Sequence, residues 1–210
     1  MKQIKLIENY YNFHLNKYKK GPKAVNWSSQ QSQILRFNKI LEAGNFNNKK
    51  VHDVGCGLAD FYKFLKKKKI KCQYIGSDIS KEMINSGKKQ TSLKKLNLQS
   101  LNLLDTNDKK LLKSLSADFV IGNGLFTVKS TLTNKYWWSY TKKMLEKMFM
   151  ITNECLIFNM MKNNVDFKDC HLYYQQTDQL IKFVEKKLSK KIVIKSDYPL
   201  YEYMCYVYKK

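Results

Sequence analysis

Apolar positions recur along this chain in two alternating patterns, one with a helical period and one in short continuous runs. The helical period, with apolar residues three and four apart, predicts helices near residues 1–19, 28–43, 60–69, 80–89, 133–151 and 175–189. The short runs predict strands near residues 50–54, 71–77, 99–104, 117–122, 154–160, 191–197 and 202–209. Helices that alternate with buried strands in this way predict an α/β fold with a mostly parallel sheet.

The end of the chain departs from this alternation. No helix is predicted between the strands near 191–197 and 202–209, which are joined at Tyr198-Pro199-Leu200, so we expect an antiparallel pair there. The chain has no linker, low-complexity tract or internal repeat. We therefore expect one domain over residues 51–210 and a helical cap over residues 1–50 that covers its crevice.

The turn after the first predicted strand carries the strongest chemical signal. Residues 51–61 pass from an apolar strand, through Gly55 and Gly57, into an amphipathic helix. Two glycines one residue apart let the backbone turn tightly and approach a ligand closely, because no Cβ lies in the way. The pattern indicates a site for a nucleotide-type cofactor. A plain strand-to-helix connection is the alternative, but it leaves the neighbouring acids unexplained.

Carboxylates around this turn narrow the choice of cofactor. A dinucleotide-binding turn holds a pyrophosphate and usually has a third glycine where this chain has Asp60. Asp53 and Asp60 would repel a pyrophosphate in a crevice where charges are poorly screened. They suit a cofactor with positive charge. S-adenosylmethionine (SAM) carries a sulfonium and an ammonium and has no phosphate.

Another acid follows the next predicted strand. Asp78 closes the strand that begins near Tyr74, and it lies about 20 residues beyond the glycines, the distance at which an acid binds a ribose diol. A carboxylate suits this task because it accepts hydrogen bonds from both hydroxyls. The second acid therefore adds a ribose site to the glycine turn.

Together these residues resemble the first motif, D-x-G-x-G-x-G, and the second-strand acid of the class I (Rossmann-like) SAM-dependent methyltransferases. Asp53, Gly55 and Gly57 match the motif, and Ala59 stands where the family often has its third glycine. The resemblance implies SAM as the cofactor and in-line transfer of its methyl group to a small-molecule acceptor. It also implies a doubly wound, mostly parallel seven-stranded sheet with an antiparallel last strand.

The resemblance nominates further cofactor contacts. They are Cys56 in the turn, Ile79 beside the second acid, Leu104 and Asp105 after the third strand, and Asn123 and Gly124 after the fourth. Leu104 and Asp105 would flank the adenine, although a helix N-cap at Asp105 or Thr106 is equally compatible. Asn123 and Gly124 would border the amino acid moiety of SAM. This loop lacks the Asn/Asp-Pro-Pro-aromatic motif of base-directed amino methyltransferases, which argues against adenine or cytosine amino groups as acceptors.

The predicted cap contains the only arginine of the chain, Arg36. A guanidinium can pair with a carboxylate through two hydrogen bonds, and SAM carries a carboxylate, so Arg36 is a candidate cofactor contact. An ordinary surface salt bridge is the alternative. The aromatic residues Tyr11, Trp27 and Phe126 are candidates for the substrate pocket, or for the protein core instead.

Two histidines are weak candidates for a general base, His14 in the cap and His171 in the loop after the fifth strand. His52 lies inside a predicted strand and is expected to be structural. Displacement from a sulfonium depends mostly on alignment, and a base is needed only for an acceptor that is protonated at neutral pH. No catalytic residue is assigned from the sequence.

Composition excludes several other classes of protein. Of the 210 residues, 43% are hydrophobic and 27% are charged, which is typical of a globular chain. The five cysteines are scattered and form no C-x-x-C pair, so neither a disulfide framework nor a metal site is expected. No apolar run reaches the ~20 residues of a membrane span, and the start lacks the apolar centre of a secretory signal. We expect a cytoplasmic protein.

The net charge of +22 leaves the nature of the partner open. The cationic residues are almost all lysine, whereas proteins that bind nucleic acids favour arginine for bidentate hydrogen bonds. Lysine clusters at 66–69, 88–89 and 186–187 are predicted at helix ends and solvent faces, although they could also steer anionic partners. A small-molecule acceptor is therefore favoured, with an RNA-directed methyltransferase and a non-catalytic SAM-binding protein as alternatives.

Overall fold

The structure is a computed structural model that describes residues 2–91 and 96–209. The helices within these ranges are α1 (Lys2–Tyr18), α2 (Gln30–Leu41), α3 (Asp60–Lys67), α4 (Lys81–Thr91), α5 (Lys109–Leu115), α6 (Asn134–Met150) and α7 (Thr177–Lys187). The strands are β1 (Lys50–Val54), β2 (Gln73–Asp78), β3 (Asn97–Ser100), β4 (Ala117–Gly122), β5 (Thr152–Lys162), β6 (Tyr174–Gln175), β7 (Ile192–Lys195) and β8 (Glu202–Tyr208). Short 3-10 helices lie at Pro22–Val25 and Leu103–Asp105.

Seven strands form one sheet in the order β3-β2-β1-β4-β5-β8-β7, and the two-residue β6 pairs with the end of β5. Neighbouring strands are parallel except at β8, which runs antiparallel to both β5 and β7. The expected mostly parallel α/β sheet with an antiparallel last strand is confirmed. The added β6 is the one strand that the apolar pattern did not predict.

Side chains alternate between the two faces of the sheet and build two hydrophobic clusters. On β4, Val120 packs with α1, α5, α6 and α7, whereas its neighbours Phe119 and Ile121 pack with α2, α3 and α4. Helices therefore cover both faces, as a doubly wound fold requires. The strand order reverses between β1 and β4, and this reversal opens a crevice at the carboxyl ends of the strands.

The N-terminal helices share the packing of the sheet. Helix α1 buries a stripe of residues three or four apart, Ile4, Ile7, Tyr11 and Leu15, as expected for an amphipathic helix. Helix α2 adds Phe37 and Ile40 to the cluster around β1 and β4. Both helices therefore pack against the sheet as part of its hydrophobic core. The division into a cap at 1–50 and a domain at 51–210 stays a prediction.

Three short segments differ from the predicted pattern. The third strand lies at 97–100 rather than 99–104, because Asn102 caps a helical turn by accepting from the Leu104 N–H at 3.2 Å. Helix α5 was not predicted; it is capped by Asp108, not by Asp105 or Thr106. The first predicted helix began at Met1, which lies outside the described residues. No helix in the described ranges is long and apolar enough to cross a membrane.

Candidate functional site

The crevice at the β1–β4 reversal encloses about 1140 Å³, including its open mouth. Its floor is formed by the residues that follow β1, β2 and β4, and α1 and residues 25–27 form its roof. The position is the one at which open α/β sheets bind ligands.

The glycine turn is closed by two hydrogen bonds to β2. The N–H groups of Gly55 and Cys56 both donate to the Ser77 carbonyl, at 2.7 and 3.1 Å. Gly55 and Gly57 have φ angles of 77° and 52°, in the left-handed region that glycine tolerates best. A Cβ on Gly57 would lie 2.9 Å from Val25, so this position also needs glycine for space.

Ala59 occupies the third position of the motif and also adopts a left-handed conformation, with a φ of 56°. It stands immediately before α3 and is fully buried. The backbone geometry of the motif is therefore kept at this position without glycine. The cost is the strain that a Cβ brings to a left-handed residue.

Asp78 is fixed at the edge of the crevice by backbone donors from two directions. One carboxylate oxygen accepts from the Gly57 N–H at 2.9 Å, and the other accepts from the Ser80 N–H at 2.9 Å. Burial raises the pKa of Asp78, while these N–H groups act in the opposite direction. A carboxylate has further lone pairs, so Asp78 can still accept from hydroxyls of a ligand.

Asp53 is a buried acid beneath the turn. The Tyr74 hydroxyl donates to its Oδ2 at 2.6 Å. Burial raises the pKa of Asp53 to about 7; the Tyr74 hydrogen bond lowers it, and the charges of Asp78 and Asp60 raise it further. Asp53 is therefore poised between its two protonation states near neutral pH, and a nearby positive charge would favour the ionised one.

Acids dominate the charge of the crevice. Asp60, in the first turn of α3, accepts from Gln33 Nε2 at 3.2 Å and pairs with Lys63 at 2.8 Å. Glu8 reaches the crevice from α1, so four carboxylates line it, together with Asp53 and Asp78. No lysine, arginine or histidine lines it within residues 2–91 and 96–209. An acidic site in a basic protein favours ligands with positive charge.

The loop after β4 brings backbone and aromatic groups together. Gly124 has a φ of 77°, and a Cβ there would lie 2.7 Å from the Trp27 ring of the roof. Its N–H donates to Asn159 Oδ1 at 2.6 Å. The neighbouring Asn123 lines the crevice, and its buried Oδ1 has no hydrogen-bond partner.

A buried polar network connects this loop to the N-terminal helices. Asn159 Nδ2 donates to Glu202 Oε2 at 3.0 Å. Arg36 holds the same carboxylate with two nitrogens, Nε at 2.8 Å and Nη2 at 2.9 Å. Its guanidinium also lies 4.1 Å from the centre of the Trp27 ring, which in turn packs on Gly124. The contacts therefore form a ring that runs from Arg36 to Glu202, Asn159, Gly124 and Trp27 and returns to Arg36. It connects α2, β8, β5, the β4 loop and the roof.

The structure brings most of the predicted site residues together. Those that line the crevice are Asp53, Gly55, Cys56, Gly57, Asp78, Ile79, Asn123, Gly124, Tyr11 and Trp27. Four others lie outside the lining: Arg36, Leu104, Asp105 and Phe126. Arg36 forms an ion pair with Glu202. This pair is buried, so it is also not the surface salt bridge that was the alternative.

Leu104, Asp105 and Phe126 lie outside the crevice lining for local structural reasons. In the helical turn at 103–105, Leu103 rather than Leu104 lines the crevice, as does Leu101 before the turn. The Asp105 carboxylate accepts from Asn102 Nδ2 at 2.7 Å. Phe126 is fully buried and packs edge-on against Phe158, so it belongs to the core.

The candidate bases lie away from the crevice. His14 packs against Tyr10 on α1, and burial lowers its pKa. His171 is exposed beside Asp169 and Cys170. His52 is buried, with Nδ1 bound to the Leu115 carbonyl at 3.0 Å and Nε2 to the Ser77 hydroxyl at 2.9 Å. Burial lowers its pKa to about 4, so it is neutral, and the expected structural role fits these contacts.

Sequence reasoning missed several residues of the site. Glu8, Asn26 and Tyr140 line the crevice from the roof and from α6, but they belong to no motif. Asn159 and Glu202 lie in the mostly apolar strands β5 and β8. The sequence marks them only as polar residues among apolar neighbours.

Comparisons with known proteins agree with this architecture. A family model described as a methyltransferase domain matches residues 52–147. Rv1506c of Mycobacterium tuberculosis, provisionally named a methyltransferase, is 23% identical over 161 residues, which cover 76% of this chain and 92% of that protein.

Two solved structures share the fold. The N-methyltransferase NodS from Bradyrhizobium japonicum WM9, in complex with S-adenosyl-L-homocysteine, has a TM-score of 0.67 at 9% identity and covers 96% of this chain and 97% of its own. Magnesium protoporphyrin IX methyltransferase from Synechocystis PCC 6803, with bound SAM, has a TM-score of 0.61 at 15% identity, with 86% and 79% covered.

Proposed function

Because residues 52–147 form a methyltransferase domain of the class I, Rossmann-like kind, we propose that this protein transfers a methyl group from SAM to a small-molecule acceptor. One observation carries the proposal: Asp78 and the glycine turn are joined by the Gly57 N–H at the edge of an acidic crevice. A ribose diol and a cationic centre can be held there together.

The lining residues suggest how SAM would be bound. Asp78 would accept from the two ribose hydroxyls, and the turn at Gly55–Gly57 would let the backbone approach the cofactor closely. Asp53 and Asp60 would offset the positive charges of the sulfonium and the ammonium.

The reaction is a direct displacement at the methyl carbon. SAM supplies an activated methyl group on a good leaving group, so the contribution of the protein is proximity and alignment. The roof over the crevice, formed by α1 and residues 25–27, covers the site and would restrict access by large acceptors. This arrangement supports a small-molecule acceptor.

The lysine clusters support the same choice. Residues 66–67, 88–89 and 186–187 lie in the last turns of α3, α4 and α7, where cations interact favourably with the helix dipole. Their placement has a structural cause and does not require RNA. A cytoplasmic location stays a prediction.

Isothermal titration with SAM tests the proposal, and absence of binding at millimolar SAM would contradict it. Asp78→Asn should weaken SAM binding by about 10- to 100-fold, because one charge-assisted acceptor is lost. Asp197→Asn is the matched control, since that carboxylate is exposed and its ion pair within the described residues is with Lys39, away from the crevice. Its affinity for SAM should equal that of the wild type.

A further inference from the structure

The charge of the crevice differs from that of the chain. The sequence has 39 lysine and arginine residues against 17 acids, so a random sample of its residues would contain several lysines. Instead the described lining has four carboxylates and no cationic side chain. An acidic lining of this kind favours a cationic or donor-rich ligand.

Bound SAM accounts for only part of this charge. Asp53, Asp60 and Asp78 lie on β1, at the start of α3 and at the end of β2, and all three line the side of the crevice that carries the cofactor motif. SAM itself carries two positive charges and one carboxylate, so its net charge is +1. Asp60 is already paired with Lys63 at 2.8 Å, and the pKa of Asp53, raised to about 7, leaves it partly protonated, so these three acids are largely balanced once SAM is bound. Glu8 is the lining carboxylate that remains for a second ligand.

Glu8 is the acid that the cofactor motif does not include. It reaches the crevice from α1, one residue after Ile7 of the buried stripe. Its partner is Lys5 at 2.9 Å, a pair between adjacent turns of one helix in which Lys5 is 60% exposed. Such a pair is weak, so the Glu8 carboxylate can exchange Lys5 for a ligand cation. Its charge also reaches Asp78, where it raises the pKa.

The remaining polar groups of the crevice point to the same kind of ligand. The buried Oδ1 of Asn123 lacks a donor, and an N–H group of a ligand would satisfy it. Tyr11 and Tyr140 also line the crevice. Burial raises the pKa of both tyrosines, so their hydroxyls stay protonated, and uncharged aromatic rings of this kind attract cations.

We infer that the methyl acceptor is a small amine, which enters as an ammonium and is held by Glu8 at the roof of the crevice. This inference rests on the proposed function. The ammonium first releases one proton to water. The nitrogen lone pair then forms the new N–C bond while the S–CH₃ bond breaks, and the electron pair of that bond neutralises the sulfonium. The products are an N-methylammonium and S-adenosylhomocysteine.

Matched acceptors on one skeleton test the inference. We would saturate the protein with S-adenosylhomocysteine and titrate 2-phenylethylamine, 2-phenylethanol and phenylacetate, and then the butyl and indolylethyl series. At least one amine should bind tenfold or more tightly than its own carboxylate and alcohol. With SAM in place of the product, that amine should yield the N-methyl compound. A series in which no amine exceeds its matched carboxylate, including one without any binding, overturns the inference.

Glu8→Gln tests the residue that is assigned to the amine. Its affinity for that amine should fall at least tenfold, while its affinity for SAM stays within twofold of the wild type. Lys5→Gln is the matched control, because it breaks the same ion pair but keeps the carboxylate, and it should bind the amine at least as tightly as the wild type. Equal losses in both variants would overturn the role of Glu8. Loss of SAM binding in the wild type would instead overturn the proposed function.

Discussion

Asp53 shows how burial sets the chemistry of a single residue. With a pKa raised to about 7, its carboxyl group is protonated in a large fraction of molecules at neutral pH. A sulfonium or ammonium nearby favours the ionised form, so SAM binding should draw a proton off Asp53. The crevice thus couples cofactor binding to proton release.

The affinity for SAM should therefore rise with pH. Between pH 6 and pH 8 the ionised fraction of Asp53 increases from about one tenth to about nine tenths, so the affinity should increase by about tenfold. Asp53→Asn removes this increment and leaves only the titration of SAM itself, which calorimetry at both pH values measures separately. Parallel pH profiles for the two proteins would contradict the prediction.

Site residues whose role depends only on the neighbouring sequence were predictable. The chemistry of Asp53, Gly55, Gly57 and Asp78 depends on the strand and turn that carry them, and all four line the crevice. Arg36 was not predictable in the same way. Its partner Glu202 is 166 positions away, and no local pattern announces a buried pair across that separation.

At the scale of elements, the loop after β4 and the roof segment have complementary shapes where they pack together. Gly124 combines a left-handed backbone with a Trp27 ring that fills the space of its missing side chain. The fit fixes the distance between the roof and the carboxyl end of β4. A side chain at this position must both strain the backbone and displace the ring.

Gly124→Ala should lower the free energy of unfolding by about 2–4 kcal/mol, as measured by urea denaturation. Gly21→Ala separates the two causes, because Gly21 also has a φ of 80° but a Cβ there would meet nothing within 4 Å. The control should lose less than Gly124→Ala, about 1–3 kcal/mol, because its φ of 80° and ψ of −177° strain the backbone alone. Equal losses would show that the ring does not constrain the loop.

Long elements were predicted well and short ones poorly. Helix α6 and strand β4 have enough residues for their apolar period to decide their structure. The 3-10 turn at 103–105, α5 and β6 are two to seven residues long. Side-chain caps at Asn102 and Asp108 decide the first two, and pairing with the end of β5 decides the third.

At the scale of the whole molecule, one ion pair joins the N-terminal helices to the antiparallel strand. Arg36 on α2 and Glu202 on β8 are both buried, and Asn159 shares the carboxylate. Burial raises the pKa of Glu202, and Arg36 acts to lower it. Without Arg36 the buried carboxylate would lose its ion pair and would keep the neutral Asn159 as a hydrogen-bond donor, with only the charge of Lys162 acting on it among the described cations.

Arg36→Met should therefore lower the free energy of unfolding by about 3–5 kcal/mol, because it leaves an unpaired buried acid. Adding Glu202→Met to the same protein should recover most of this loss, since the charge is then removed as well. Urea unfolding of the two single variants and the double variant completes a mutant cycle. Additive losses would show that the two side chains do not interact.

Arg36 is the only arginine of the sequence, and every other strongly basic position is lysine. An ammonium cannot both clasp a carboxylate with two nitrogens and lie flat on an indole, and Arg36 does both. For protein engineering the consequence is practical: exposed lysines can be exchanged freely to tune solubility, while the nominally conservative Arg36→Lys is the replacement to avoid.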